Sequence, residues 1–261
     1  MQTLTPVASP EAEELEEQKQ TLLKLEKELT DKELELSTLR SEMHFFEKRY
    51  QSIVGVKYAE LDALKAQIFK FVAQLFPESD EFRSNAETAQ EQAYQSESET
   101  WEAGGFEQKP EETTKEFKPS DSLKKLFRKV ARKIHPDLAE NESERNRRHE
   151  LMAKLNKAYD CQDDESIRAI LVEWEAGEPA ENLTIGQLLS RTLKQVAQIR
   201  KRLSSIEWEL EKIFNSPMYS LKEKTIQGDR CDKDILEEMK MNVEEKILRI
   251  KLRARDLTED F

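Results

Sequence analysis

The chain has 261 residues, 37% of them charged and 37% apolar, with only six glycines, eight prolines and 7% aromatic side chains. That balance supplies too few buriable residues for a thick core and disfavours a large β-rich or α/β enzyme; abundant Glu, Lys, Leu and Arg with few breakers reads as long helices, each burying one narrow stripe. The net charge of −12 argues against a general nucleic-acid binder, and Met1–Pro10 lacks the basic and apolar regions of a secretory signal, so a cytoplasmic protein without a transmembrane segment is expected.

Residues 11–76 carry a heptad stripe. Leu15, Leu22, Leu29, Leu36, Met43 and Tyr50 recur every seven residues, and Leu25, Leu39, Phe46 and Ile53 follow three residues after four of them. A period of 3.5 keeps one seam facing a partner helix, so the segment predicts an N-terminal coiled coil, with polar Gln18 and Lys32 in the same register. After Ile53 the stripe resumes through Lys57 at Leu61, Leu64, Ile68, Phe71 and Leu75. The two steps of four make a stutter beside Gly55, where local unwinding or a bend is expected. A single exposed seam of this length is unfavourable in water, so a parallel homodimer through residues 11–76 is predicted.

Residues 77–117 hold 12 acidic and 3 basic side chains, a net charge of −9, together with Pro77, Pro110, Gly104-Gly105 and many Ser, Thr and Gln. This composition predicts an acidic disordered linker, with Trp101 and Phe106 either a short partner motif or idle aromatics.

Residues 118–176 read as the globular segment. Leu123, Leu126, Phe127, Val130 and Ile134 line one face of a helix that Asp121 or Ser122 would cap, and Lys124, Lys125, Arg128, Lys129, Arg132 and Lys133 line the other. A turn follows at His135-Pro136-Asp137. Asn141 and Glu144 have capping-box spacing for a second helix, with Leu151, Met152, Leu155, Ala158 and Tyr159 inward. A third, short helix after Asp163 turns Ile167, Ile170, Leu171 and Trp174 inward.

In residues 183–258, Val196, Ile199, Leu203, Ile206, Leu210 and Ile213 alternate by threes and fours. Ser216-Pro217 supplies an N-cap and first-turn proline for a further helix, interrupted at Gly228. The segment predicts an antiparallel helical hairpin or coiled coil.

The run Leu126-Phe127-Arg128-Lys129-Val130-Ala131-Arg132-Lys133-Ile134-His135-Pro136-Asp137, followed by Lys157-Ala158-Tyr159 on the next helix, resembles the J-domain of DnaJ-type co-chaperones over residues 119–162. J-domains usually open with a short helix bearing an aromatic–Leu–Gly sequence; here Glu111–Pro119 stands in that place with Phe117 as its apolar residue, and the helix after Asp163 is the candidate replacement cover. The resemblance implies binding to a DnaK-type heat-shock chaperone and stimulation of its ATP hydrolysis. By position, His135, Pro136 and Asp137 match the family's contact motif, and Lys124, Arg128, Lys129 and Arg132 its basic contact face. In such a contact the basic side chains steer association, Pro136 ends the helix, and Asp137 takes a partner arginine. As a contact element at a helix end, the tripeptide is expected to be mostly exposed.

The expected whole is an all-α, elongated protein with a J-like helical hairpin module between two coiled-coil regions. A client or targeting partner would be engaged through the coiled coils. No nucleophile, third ligand or phosphate loop accompanies His135 and Asp137, and Cys161 and Cys231 have neither zinc nor disulfide spacing, so no enzyme, metal or cofactor is expected. The alternative reading is a coiled-coil structural adaptor whose J-like module is inactive.

Overall fold

The structure, a computed structural model, describes residues 10–102, 117–139, 141–175 and 184–259. Every regular element among them is helical, which makes the protein all-α: α1 (Pro10–Tyr50), a π-turn (Gln51–Gly55), α2 (Val56–Leu75), α3 (Asp80–Glu102), α4 (Asp121–Ile134), a 3-10 turn (Pro136–Leu138), α5 (Glu142–Asp160), α6 (Asp164–Glu175), α7 (Ile185–Phe214), α8 (Pro217–Asp229) and α9 (Ile235–Glu259). No helix among the described residues is long and apolar enough to cross a membrane. Two compact units divide the chain, Met1–Ser41 with Lys118–Phe214 and Glu42–Phe117 with Asn215–Phe261. The division falls inside α1 and between α7 and α8, so it does not follow the coiled-coil, linker, module and hairpin segments read from the sequence.

The first unit is built on the hairpin of α4 and α5. Ser120 caps α4, its hydroxyl accepting from the Leu123 amide at 3.1 Å; Asp121 already lies in the first turn, so the cap stands one residue earlier than the sequence suggested. Leu123, Phe127, Val130, Ala131 and Ile134 of α4 are buried, as are Leu151, Leu155 and Tyr159 of α5, with the Phe127 and Tyr159 rings 4.8 Å apart. The α5 cap is the expected one, Asn141 accepting from the Glu144 amide at 2.9 Å. Gln162, at φ 53°, ends α5 with the Asp163 amide donating to the Ala158 carbonyl, and Asp163 at once caps α6. Helix α6 lays Ile167, Ile170 and Trp174 on α4 and α5, the cover expected from the third helix.

Helix α1 enters this unit with two buried faces. The heptad seam is buried at Leu15, Leu29, Leu36 and Leu39. A second row, Thr30, Glu33, Ser37 and Ser41 at helical spacing, is buried as well although every member is polar. Ser41 of this row bonds the Asp160 carboxylate of α5, and beside the row Thr38 Oγ1 and Tyr159 Oη are 2.9 Å apart. The seam that motivated a homodimer is thus largely covered within a single chain.

In the second unit, Phe46, Val54 and Leu236 form a core with Tyr50, Ile53, Tyr58, Met218, Leu221 and Met239 packed on it. The stutter is accommodated by the π-turn. Gln51 folds its side chain into the space beside Gly55, its Oε1 only 1.9 Å from where a Cβ would stand, so a larger residue there would have to displace the end of that side chain. Leu61 continues the seam against Val243 and Ile247, whereas Phe71 and Leu75 are exposed. Lys57 bridges Glu60 and Glu244, and Lys251 bonds Glu60, tying α2 to α9.

The acidic linker reading is corrected over residues 80–102. They form α3, which packs along α2. Half-buried or buried Phe82, Ala86, Ala89, Ala93, Ser96 and Thr100 recur at helical spacing, and Ser96 donates to buried Asp62 at 2.9 Å. Alanines let the helices approach closely while adding little to the apolar composition, and acidic residues on the other faces hid the stripe. Trp101 ends α3 exposed, and Phe106 lies outside the described residues. Phe117 is buried in this second unit, stacked 5.6 Å from Phe45.

Gly228 closes a tight turn rather than a loose one: its carbonyl accepts from the Cys231 and Lys233 amides, and a Cβ there would stand 2.6 Å from Ile235 Cγ1 and 2.7 Å from the Lys233 carbonyl. Gly186, in the first turn of α7, has nothing within 4 Å of its Cβ position. Gly228→Ala should lose about 1–3 kcal/mol in urea denaturation despite its better helix propensity, and Gly186→Ala should gain up to about 1 kcal/mol. Equal stability of the two variants would contradict this packing.

Candidate functional site

The basic helix α4 ends at His135, where Pro136 removes an amide donor and starts the 3-10 turn. Arg148, one turn into α5, locks this end in place. Its Nη1 donates to the Lys133 and His135 carbonyls at 2.9 and 3.2 Å, satisfying acceptors that a helix C-terminus leaves open. Its Nε and Nη2 donate to Glu144, and its guanidinium lies 4.4 Å over the Trp174 ring.

The tripeptide is not the exposed contact element that the sequence led us to expect. His135 is 1% exposed and Pro136 is buried. The Asp137 amide donates to His135 Nδ1 at 3.2 Å, so the ring carries its proton on Nε2 and donates it to Glu33 Oε1 of α1, also at 3.2 Å. Glu33 Oε1 accepts a second bond, from Arg202 Nε of α7 at 2.7 Å. Arg202 continues to Glu209, which also pairs with Arg40 of α1. Gln195 of α7 donates to the Leu138 carbonyl at 3.3 Å, holding the far end of the turn. Asp137 alone of the three reaches solvent, half-buried, with Oδ1 3.3 Å from Arg145 Nη2.

The basic face is divided. Arg128 donates to Asp31 of α1 at 2.6 Å, and Arg132 stands 3.9 Å from Glu26. Lys133 donates to Glu175 of α6 at 2.6 Å. Lys124 is half-buried, while Lys125 and Lys129 are exposed. His44 and His149 are exposed.

The two buried acids behave differently. Burial alone would push the Glu33 carboxyl up, but bonds from His135 and Arg202 and the Arg202 charge outweigh it and hold the group below the usual carboxylate value. For Glu26 burial wins over the distant Arg132 and the carboxyl is raised. The Glu33 cluster therefore binds α1 to the turn through charge, while the longer Glu26–Arg132 pair attracts too weakly to offset burial of the carboxyl.

Sequence reasoning singled out His135, Pro136, Asp137, Arg128 and Arg132 along α4 and the turn after it, but not Glu33, Arg148, Gln195 and Arg202, which bond to that turn or to its partners. The available signal for Glu33 was the polar row Thr30, Glu33, Ser37, Ser41, too regular for a face that only meets water. Among the described residues no three His, Cys, Asp or Glu side chains are grouped to hold a metal ion. No protein family, no curated protein and no solved structure matches this chain.

Two outcomes follow. His135→Gln should lower stability by about 1–3 kcal/mol, since it disturbs a buried bonded group, whereas Asp137→Asn should stay within about 1 kcal/mol. Because the Glu33 carboxyl is depressed in the folded chain, its contribution is complete above about pH 4.5 and is lost as pH falls through the lower folded value. Thermal melts of the native chain and Glu33→Gln should accordingly differ at pH 7 and converge in the acid range; a constant difference would refute the charge assignment.

Proposed function

We propose that the protein is a J-domain co-chaperone that binds a DnaK-type heat-shock chaperone and stimulates its ATP hydrolysis, with its long helices supplying targeting. The observation that carries this reading is the turn itself. His135-Pro136-Asp137 stands at the end of a basic helix, packed against a second helix, and rigidly built by Arg148. Asp137 is the member nearest solvent, and a carboxylate at a fixed helix end suits a bidentate bond from a partner arginine. Exposed Lys125 and Lys129 on the preceding helix α4 give a salt-sensitive approach for an acidic surface.

The second reading, a structural adaptor with an inactive module, is favoured by one observation: His135 is buried and bonded within its own chain. The two separate in single-turnover ATP hydrolysis by the DnaK-type chaperone of the same cell, with the full chain at saturating concentration. Co-chaperone function predicts acceleration that Asp137→Asn abolishes while the variant melts as the native chain does. The adaptor reading predicts no acceleration at any concentration.

A further inference from the structure

We infer that α1 and α7 form an autoinhibitory clamp over the chaperone-contact turn, so that a DnaK-type partner must displace α1 to engage it. This inference rests on the co-chaperone reading and adds its regulation. The residues the resemblance assigns to partner contact are already engaged within the chain. Asp31 occupies Arg128, Glu26 stands over Arg132, and Glu33 holds His135 from above the turn. From the other side Arg202 fixes Glu33 and Gln195 holds the Leu138 carbonyl. The acids of α1 thus stand where an acidic partner surface would meet the helix.

The fit is separable where a permanent core would not be. The hairpin is closed by fully buried Phe127, Ile134, Leu155 and Tyr159, but α1 meets α5 through hydroxyls and carboxylates. Beside Glu33 a cavity of about 160 Å³ remains between α1 and α5, lined by Ser37, Arg40, Asn156 and Asp160. Asn156 Oδ1 is buried there with no hydrogen-bond partner among the described residues. A polar contact with a void and an unsatisfied acceptor gives up less on opening than a close-packed apolar one. Leu29, Leu34, Leu36 and Leu39 on the same helix keep the closed state dominant. A partner that binds only the open form then shows an affinity reduced by the open fraction.

The test uses the full chain and the DnaK-type chaperone. In Asp31→Lys/Glu33→Gln, attraction to Arg128 becomes repulsion and the charge on the cluster is lost. Glu28→Lys/Glu35→Gln, at two exposed positions of the same helix, changes net charge equally and is the control. Amide hydrogen exchange over residues 135–139 should accelerate in the first variant only. The concentration giving half-maximal ATPase stimulation should fall about tenfold in that variant, with the plateau and the control unchanged. Unaltered exchange would show that these pairs do not hold the clamp. Faster exchange with an unaltered half-maximal concentration would reject the masking while leaving the co-chaperone reading intact. Absence of stimulation even in the opened variant would remove both.

Discussion

One carboxylate organises the turn that follows α4. Glu33 Oε1 accepts from His135 of the turn and from Arg202 of α7, and so joins three helical elements at one atom. A lone carboxylate at this depth would be strongly unfavourable; with a cation and an imidazole donor it stays ionised below its usual pKa. A buried ion pair of this kind adds little net stability over apolar packing, but it penalises every arrangement that leaves one partner unmatched. It therefore acts on register: α1 sliding by one turn would strand Glu33, Arg202 and His135 together. The Arg202–Glu209–Arg40 continuation extends the same control along α7 and α1.

A second arginine does complementary work inside the module. Arg148 holds the end of α4 against α5 by donating to the Lys133 and His135 carbonyls. It is itself oriented by Glu144 and stacked on Trp174, so α6 contributes to the same corner. Helix α6 covers one side of the hairpin, and α1 reaches the other through Thr38 and Tyr159.

The basic residues of α4 meet different surroundings although they share one helix. Arg128 is paired to Asp31 of α1 and Lys133 to Glu175 of α6, while Lys125 and Lys129 are open to water. Periodicity puts all of them on the polar side of α4, and the acids brought by α1 and α6 decide which are engaged.

Much was legible in the sequence where it depends on local rules. The all-α class follows from composition, the Asn141 and Ser216 caps and the Asp163 start from side chains that satisfy helix-end amides, and the break near Gly55 from a change of hydrophobic phase. The inward faces of α4, α5, α6 and α7 follow from 3.6-residue periodicity. What the tertiary structure decided is which faces meet. Nothing local distinguishes a heptad seam that pairs with a copy from one buried within its own chain, and α1 is buried on two faces where periodicity marks one. The α3 stripe was hidden because alanine signals packing only when a neighbouring helix is close enough to use its small size. The same limit applies to His135. A tripeptide at the end of a basic helix reads as exposed until an acid 102 residues earlier in the chain is brought onto it, and only the folded chain makes that pairing.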